Sequence, residues 1–249
     1  MVLLGYSYRV TSLFCPPVGY HAFKLRAVPM ECAMQHVTEH VLQVWPACTI
    51  MHAIDGLGNA VQYGSVSDRH ERFCIESRGV VEVGGYCVPD DGPEGFYVSP
   101  TPLTSWNDDI RGMALGKNAA EIMHCVYRHL TYERFVTDNS TTAADVYARR
   151  HGVCQDYAHL MIAACRAVGL PARYVNGLTL GEGETHAWVE VHDGKGAWLG
   201  YDPTRDCEVH HGYLKLAHGR DVNDCPSNRG RFYQWTTESM TVNCKLEIL

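Results

Sequence analysis

The chain has 249 residues, enough for one large domain or two small ones, and 46% of them are hydrophobic, so a sizeable core can be buried. A net charge of -7 argues against a nucleic-acid footprint. No apolar run reaches membrane-spanning length, and the start, Met1-Val2-Leu3-Leu4-Gly5-Tyr6, lacks the basic and long apolar regions of a signal peptide. The expectation is a soluble, cytoplasmic protein with no membrane or nucleic-acid partner.

The first third reads as strands. Tyr6–Val10 alternates large apolar side chains with others, residues 37–45 and 60–63 are short extended segments, and residues 73–83 form a longer one. Gly56-Leu57-Gly58-Asn59 and Gly84-Gly85 punctuate them as turns, and Pro16-Pro17 and Pro46 exclude helix. Short strands at this spacing predict a β-sandwich-like N-terminal domain over residues 1–88. Pro89-Asp90-Asp91-Gly92-Pro93-Glu94-Gly95 heads a linker over residues 89–112. Residues 113–249 then form a core of α+β class, closed by a final strand.

Within that core, Ile122, Val126 and Leu130 share one face of a helix over residues 118–130, and Thr141-Thr142-Ala143-Ala144-Asp145 caps a short second one. The segment from Cys154 to Val168 is the clearest helix: it is apolar, rich in small residues and free of breakers, with Gly169 as C-cap and Pro171 as stop. Residues 172–175, 186–191 and 197–201 read as strands, and Met240, Val242, Cys244, Leu246 and Ile248 alternate as a last, half-buried one.

Eleven cysteines are scattered among apolar neighbours, the usual setting of a buried small hydrophobe. One differs. Cys154 opens the buried helix, where unpaired backbone N–H groups and the positive end of the macrodipole favour thiolate over thiol and offer donors to an oxyanion. Cys165, three turns along, lacks that field and is expected to be inert. Gly152 is expected to let a substrate backbone approach. His186 opens a strand at the mouth of a cleft, and Asp202 ends the next one. With the turn Asp193-Gly194-Lys195-Gly196 between antiparallel strands, His186 and Asp202 are expected opposite one another. Cysteine, histidine and aspartate in these settings supply a nucleophile, a base and an orienting acid. The sequence has no Cys-x-x-Cys and no His-Glu-x-x-His, and His210-His211 would point apart on a strand, so no metal or other cofactor is expected.

These residues resemble the transglutaminase-like superfamily with its papain-like core, and within it the bacterial transglutaminase-like cysteine-protease group. The resemblance rests on residues 149–160 around Gly152-Val153-Cys154-Gln155-Asp156-Tyr157, on Leu170-Pro171-Ala172-Arg173-Tyr174-Val175, on His186-Ala187-Trp188-Val189-Glu190-Val191, and on Tyr201-Asp202-Pro203-Thr204. Leu130-Thr131-Tyr132, Asp221-Val222-Asn223-Asp224 and Arg229-Gly230 add to it. It implies Cys154 as nucleophile, His186 as base then acid, Asp202 as orienter, an N-terminal β-rich domain, and a peptide, protein or small amide substrate. Transfer of the acyl group to an amine, or a non-catalytic binding role on the same fold, are the competing functions; paired Cys-x-x-Cys motifs of a zinc-dependent peptide-N-glycanase are absent. Of the neighbours, Trp188 is expected to pack beside His186, and Asp156 to take backbone N–H groups or pair with Arg173.

Overall fold

The computed structural model describes residues 1–89 and 94–249; residues 90–93, near the start of the expected linker, lie outside them. In chain order the strands are β1 (Val2–Val18), β2 (His21–Leu25), β3 (Gln35–Trp45), β4 (Met51–Ile54), β5 (Ala60–Val66), β6 (His70–Val83), β7 (Val88–Pro89), β8 (Thr131–Tyr132), β9 (His151–Gly152), β10 (Ala172–Thr179), β11 (Gly181–Gly183), β12 (His186–His192), β13 (Ala197–Asp202), β14 (Cys207–Glu208), β15 (Tyr213–Gly219), β16 (Asn228–Arg231) and β17 (Thr237–Ile248). Four helices, α1 (Asp108–Ala114), α2 (Ala119–His129), α3 (Ala143–Arg149) and α4 (Cys154–Ala167), lie between β7 and β10. None of these helices is long and apolar enough to cross a membrane.

Two sheets are built largely from the first third. One has the order β11-β17-β1-β6-β3, the other β16-β2-β5-β4. Strand alternation sends Leu4, Tyr6, Tyr8 and Val10 of β1 inward, where they share a core with Phe23, Leu25, Phe73 and Ile75. The final strand, grouped with the core on sequence, pairs along β1 from Leu4↔Ile248 to Cys15↔Thr237. Its alternation announces one buried face but not which sheet receives it; Cys244 and Leu246 join the same core as Tyr6 and Tyr8.

A third sheet has the order β14-β13-β12-β10-β15, with β7 beside β13. Its strands are covered on both faces. Ala187, Val189 and Val191 of β12 pack with Leu160, Met161, Ala164 and Cys165 of α4, while Leu214 and Leu216 of β15 and Trp198 of β13 join the core of the first sheets. Helix α4 is therefore buried from Asp156 to Arg166, which explains its small, apolar composition. The other helices pack around it, each with a side-chain N-cap: Asn107 Oδ1 accepts from Ile110 N at 3.0 Å, Asn118 Oδ1 from Glu121 N at 3.0 Å, and Thr142 Oγ1 from Asp145 N at 3.2 Å.

Helix α1 and strand β15 are among the elements that escape the sequence reading. Helix α1 falls within the expected linker; it is short and has too few apolar residues to show a period, although Asn107-Asp108-Asp109 is a good N-terminal signature. Strand β15, Tyr-Leu-Lys-Leu-Ala-His-Gly, is buried throughout, and its lysine and histidine hide a buried strand from a hydropathy reading.

Candidate active site

The site is assembled at one end of α4. The chain arrives through β9, which pairs in parallel with β8 and so sets Tyr132 opposite Gly152. Val153 then turns into the helix. It has no side-chain oxygen to cap it. The carboxylate of Asp156 reaches back instead: Oδ2 accepts from Val153 N at 2.7 Å and from Thr137 Oγ1 at 2.7 Å. This is the backbone half of the expectation for Asp156; Arg173 is engaged elsewhere. Gly152 has a reason other than substrate approach. A Cβ there would lie 2.7 Å from Asp156 Oδ2, so the glycine makes room for that carboxylate.

Cys154 is thus the first helical residue, and Asp156 N and Tyr157 N already turn back to Val153 O. The N–H groups of Cys154 and Gln155 have no hydrogen-bond acceptor among the described residues, which leaves two donors at the helix end. Cys154 sits on the wall of a cleft of about 410 Å³ that also takes in Tyr132, Tyr174, Asn176, His186 and Arg205.

His186 stands across from the thiol. Its Nε2 meets Asp202 Oδ2 at 2.7 Å, and the nearby Cys154 sulfur acts on the ring to favour its protonated form. The register differs from the expected one. The β12–β13 ladder runs from His192↔Trp198 beside the turn to Val189↔Tyr201, so continuing it sets Trp188, not His186, opposite Asp202. His186 and Asp202 are diagonal neighbours on one face, two positions apart, and a long imidazole bridges that spacing. The Asp193–Gly196 turn closes as expected, with Asp193 N donating to Ala197 O at 2.9 Å.

Asp202 is fully buried and every lone-pair direction is used. Oδ2 accepts from Tyr213 Oη at 2.7 Å as well as from His186, and Oδ1 from Thr204 N at 2.9 Å and Arg205 N at 3.3 Å. Burial alone would raise its pKa, but these donors and the imidazole together hold it below the usual carboxylate range. The reverse applies to His186, which is 11% exposed. Burial opposes its protonation, yet the Asp202 carboxylate and the Cys154 sulfur outweigh burial and raise it to about 9. Cys165 behaves as its setting dictates: burial pushes that thiol up to about 12.

Tyr213 was not singled out by the sequence, because it lies on the strand that hydropathy concealed. Trp188 packs as expected. It is buried with its ring edge-on to Tyr213 at 5.3 Å, and its Nε1 donates to Tyr86 Oη at 2.7 Å. Two residues further, Glu190 accepts from Arg173 and, at 2.8 and 2.9 Å, from Lys215 Nζ, with all three side chains fully buried.

Comparison with known proteins agrees with this architecture. Residues 104–203 match the model of the transglutaminase-like superfamily, and residues 6–82 that of the bacterial transglutaminase-like N-terminal region. An uncharacterized protein of Mycobacterium leprae is 35% identical over 240 residues, covering 82% of this chain and 84% of its own. An uncharacterized Mycobacterium tuberculosis protein is 28% identical over 271 residues, covering 89% and 84%. The crystal structure of "a Putative Cysteine Protease" from Cytophaga hutchinsonii superposes with a TM-score of 0.81 at 22% identity, covering 98% of this chain and 90% of that one, a likeness of fold. With the N-terminal and core models both matched, in the order that the sheets and helices display, the chain belongs to the transglutaminase-like superfamily.

Proposed function

We propose that the protein is a cysteine-dependent hydrolase of amide or peptide bonds, working through a thioester on Cys154, His186 and Asp202. The observation that carries this reading is the His186 ring held between a buried carboxylate and a thiol at the exposed start of a helix. A pKa raised to about 9 keeps that ring protonated at neutral pH, so it stands ready as an acid beside the sulfur.

In the first half-reaction Cys154 Sγ, deprotonated beside the His186 imidazolium, attacks the carbonyl carbon and a C–S bond forms. The developing oxyanion takes the N–H groups of Cys154 and Gln155. The C–N bond then breaks, His186 gives its proton to the leaving nitrogen, and ammonia or an amine departs. In the second, water attacks the thioester, neutral His186 takes one proton from it, the C–S bond breaks with its electron pair on sulfur, and a carboxylic acid leaves the sulfur anion and protonated His186 as they began. Asp202 keeps the ring in place beside the sulfur throughout, and Tyr213 holds Asp202. The eleven free cysteines suit a reducing compartment, which is where we place the activity.

A thiol-directed acyl probe tests the reading. It labels the wild-type chain at Cys154, and the Cys154→Ala chain stays unlabelled; equal labelling of the two would overturn it. Amine incorporation that outpaces ammonia release would replace hydrolysis with acyl transfer, and an unreactive Cys154 in a folded chain would leave a binding protein.

A further inference from the structure

One wall of the cleft plays no part in this chemistry. Residues 180–185 form it in an unbroken run. Its centre is β11, the outermost strand of the five-stranded sheet, whose hydrogen-bonded neighbour is β17 alone among the described residues. All three residues of β11 are exposed, and a Cβ built on Gly181 or Gly183 would meet nothing within 4 Å. The strand thus offers an unpaired edge of backbone N–H and C=O groups to the cleft, with little side chain to shield it.

The direction of β11 adds to this. It leads through a bend at Glu184 and through Thr185 into His186, three residues beyond its last residue. A chain paired to its free edge would run toward the gap between His186 and Cys154. Residues 180–185 give the cleft of about 410 Å³ one continuous wall of chain. A small amide has no use for a wall of this length.

Resting on the hydrolase reading, we infer that the substrate is a polypeptide in extended conformation, which adds to the free edge of β11 as a further strand and brings its scissile carbonyl to Cys154. Main-chain hydrogen bonds supply the affinity, so recognition depends on an unmodified substrate backbone more than on particular side chains. In a strand pair only alternate residues direct their N–H groups at the neighbour.

The test uses the full chain with internally quenched decapeptides and with p-nitrophenyl acetate. For a cleaved decapeptide, each amide nitrogen is methylated in turn. Methylation at alternate positions on one side of the scissile bond, within about five residues of it, lowers kcat/KM about tenfold, while the positions between tolerate it. Turnover of the acetate ester, lost in Cys154→Ala, reports the thiol chemistry separately. The inference is overturned if ester turnover persists and no decapeptide is cleaved, if methylation is tolerated everywhere, or if capped single-residue amides are cleaved as well as decapeptides. Ester turnover that survives Cys154→Ala would instead bring down the hydrolase reading, and this inference with it.

Discussion

Two ionic clusters share one face of β12, separated by Trp188, and they are built to opposite ends. His186, Trp188 and Glu190 alternate with Ala187 and Val189, which face α4. At Glu190 the carboxylate is enclosed by Arg173, Lys215 and Tyr86 Oη, the last at 2.5 Å, and the Arg173 guanidinium stacks on Trp198 at 4.2 Å from the ring centre. Burial would raise that carboxyl, but the two cations hold it far below the ordinary range. At the cleft the carboxylate is just as buried, yet its main partner is a histidine. Burial is common to both clusters. What separates them is a titratable ring beside a thiol, at the one of the two that opens on a cavity.

Substitutions break the comparison in different ways. Cys154→Ala is expected to lower turnover by about 10⁴-fold or more while shifting stability by no more than about 1 kcal/mol, since the thiol is only half-buried. Steady-state kinetics beside urea unfolding checks both halves, and a large stability loss would show the cleft cluster to be structural after all. Glu190→Ala is expected to do the reverse. It strands two buried cations and destabilises the fold by about 3–5 kcal/mol, with turnover per folded molecule retained. An unchanged urea midpoint would mean that the buried cluster contributes little.

How much of this was readable beforehand depends on what each residue reports locally. Cys154 announces itself because the apolar helix, Gly169 and Pro171 fix where α4 starts and stops. His186 and Asp202 follow from two strands and a Gly-rich turn, yet the register came out two positions away. A turn's length does not by itself fix a register, which is also set by how the strands twist and by which faces are buried. Tyr213 was not legible, since Lys215 and His218 make β15 look like a surface strand; their partners, Glu190 and Arg173, lie on β12 and β10. The partner of β17 was unreadable for a similar reason, because alternation reports a buried face and says nothing of the sheet that covers it.

The pH profile sharpens the contrast within the cleft cluster. A histidine raised to about 9 in the folded chain, against 6.5 for the free side chain, stabilises the fold fully below pH about 6.5, and that stabilisation is lost as pH rises through 9. Asp202, held low, adds stability that is lost in acid as pH falls through its folded pKa. Turnover is accordingly expected to decline on an alkaline limb near pH 9. In Tyr213→Phe, Asp202 Oδ2 loses a competing donor and becomes a stronger acceptor for the imidazolium, so the limb moves upward by about half a unit. Turnover falls about threefold to tenfold as the carboxylate loses its anchor. A limb that stays fixed in this variant would show that Tyr213 packs beside Asp202 without tuning it.

The smallest expected effect separates the two buried aspartates that flank Cys154 in space. Asp202 needs its charge, since the imidazolium faces it. Asp156 needs only an acceptor oxygen: Oδ2 takes Val153 N–H and Thr137 Oγ1, Oδ1 has no hydrogen-bond partner, and burial raises the pKa against those two donors. Asp156→Asn keeps an acceptor and removes a charge, so it is expected to alter stability by less than about 1 kcal/mol at pH 7. Asp156→Ala loses the cap and is expected to lose about 1–2 kcal/mol. The sign with pH is distinctive. A carboxyl raised in the folded state stabilises the fold increasingly as pH falls through its folded pKa, so the wild-type chain should gain on Asp156→Asn in mild acid, before the loss at Asp202 sets in. Urea midpoints for the two chains between pH 4 and 7 measure this directly, and parallel curves would mean that Asp156 keeps its charge in the helix's first turn.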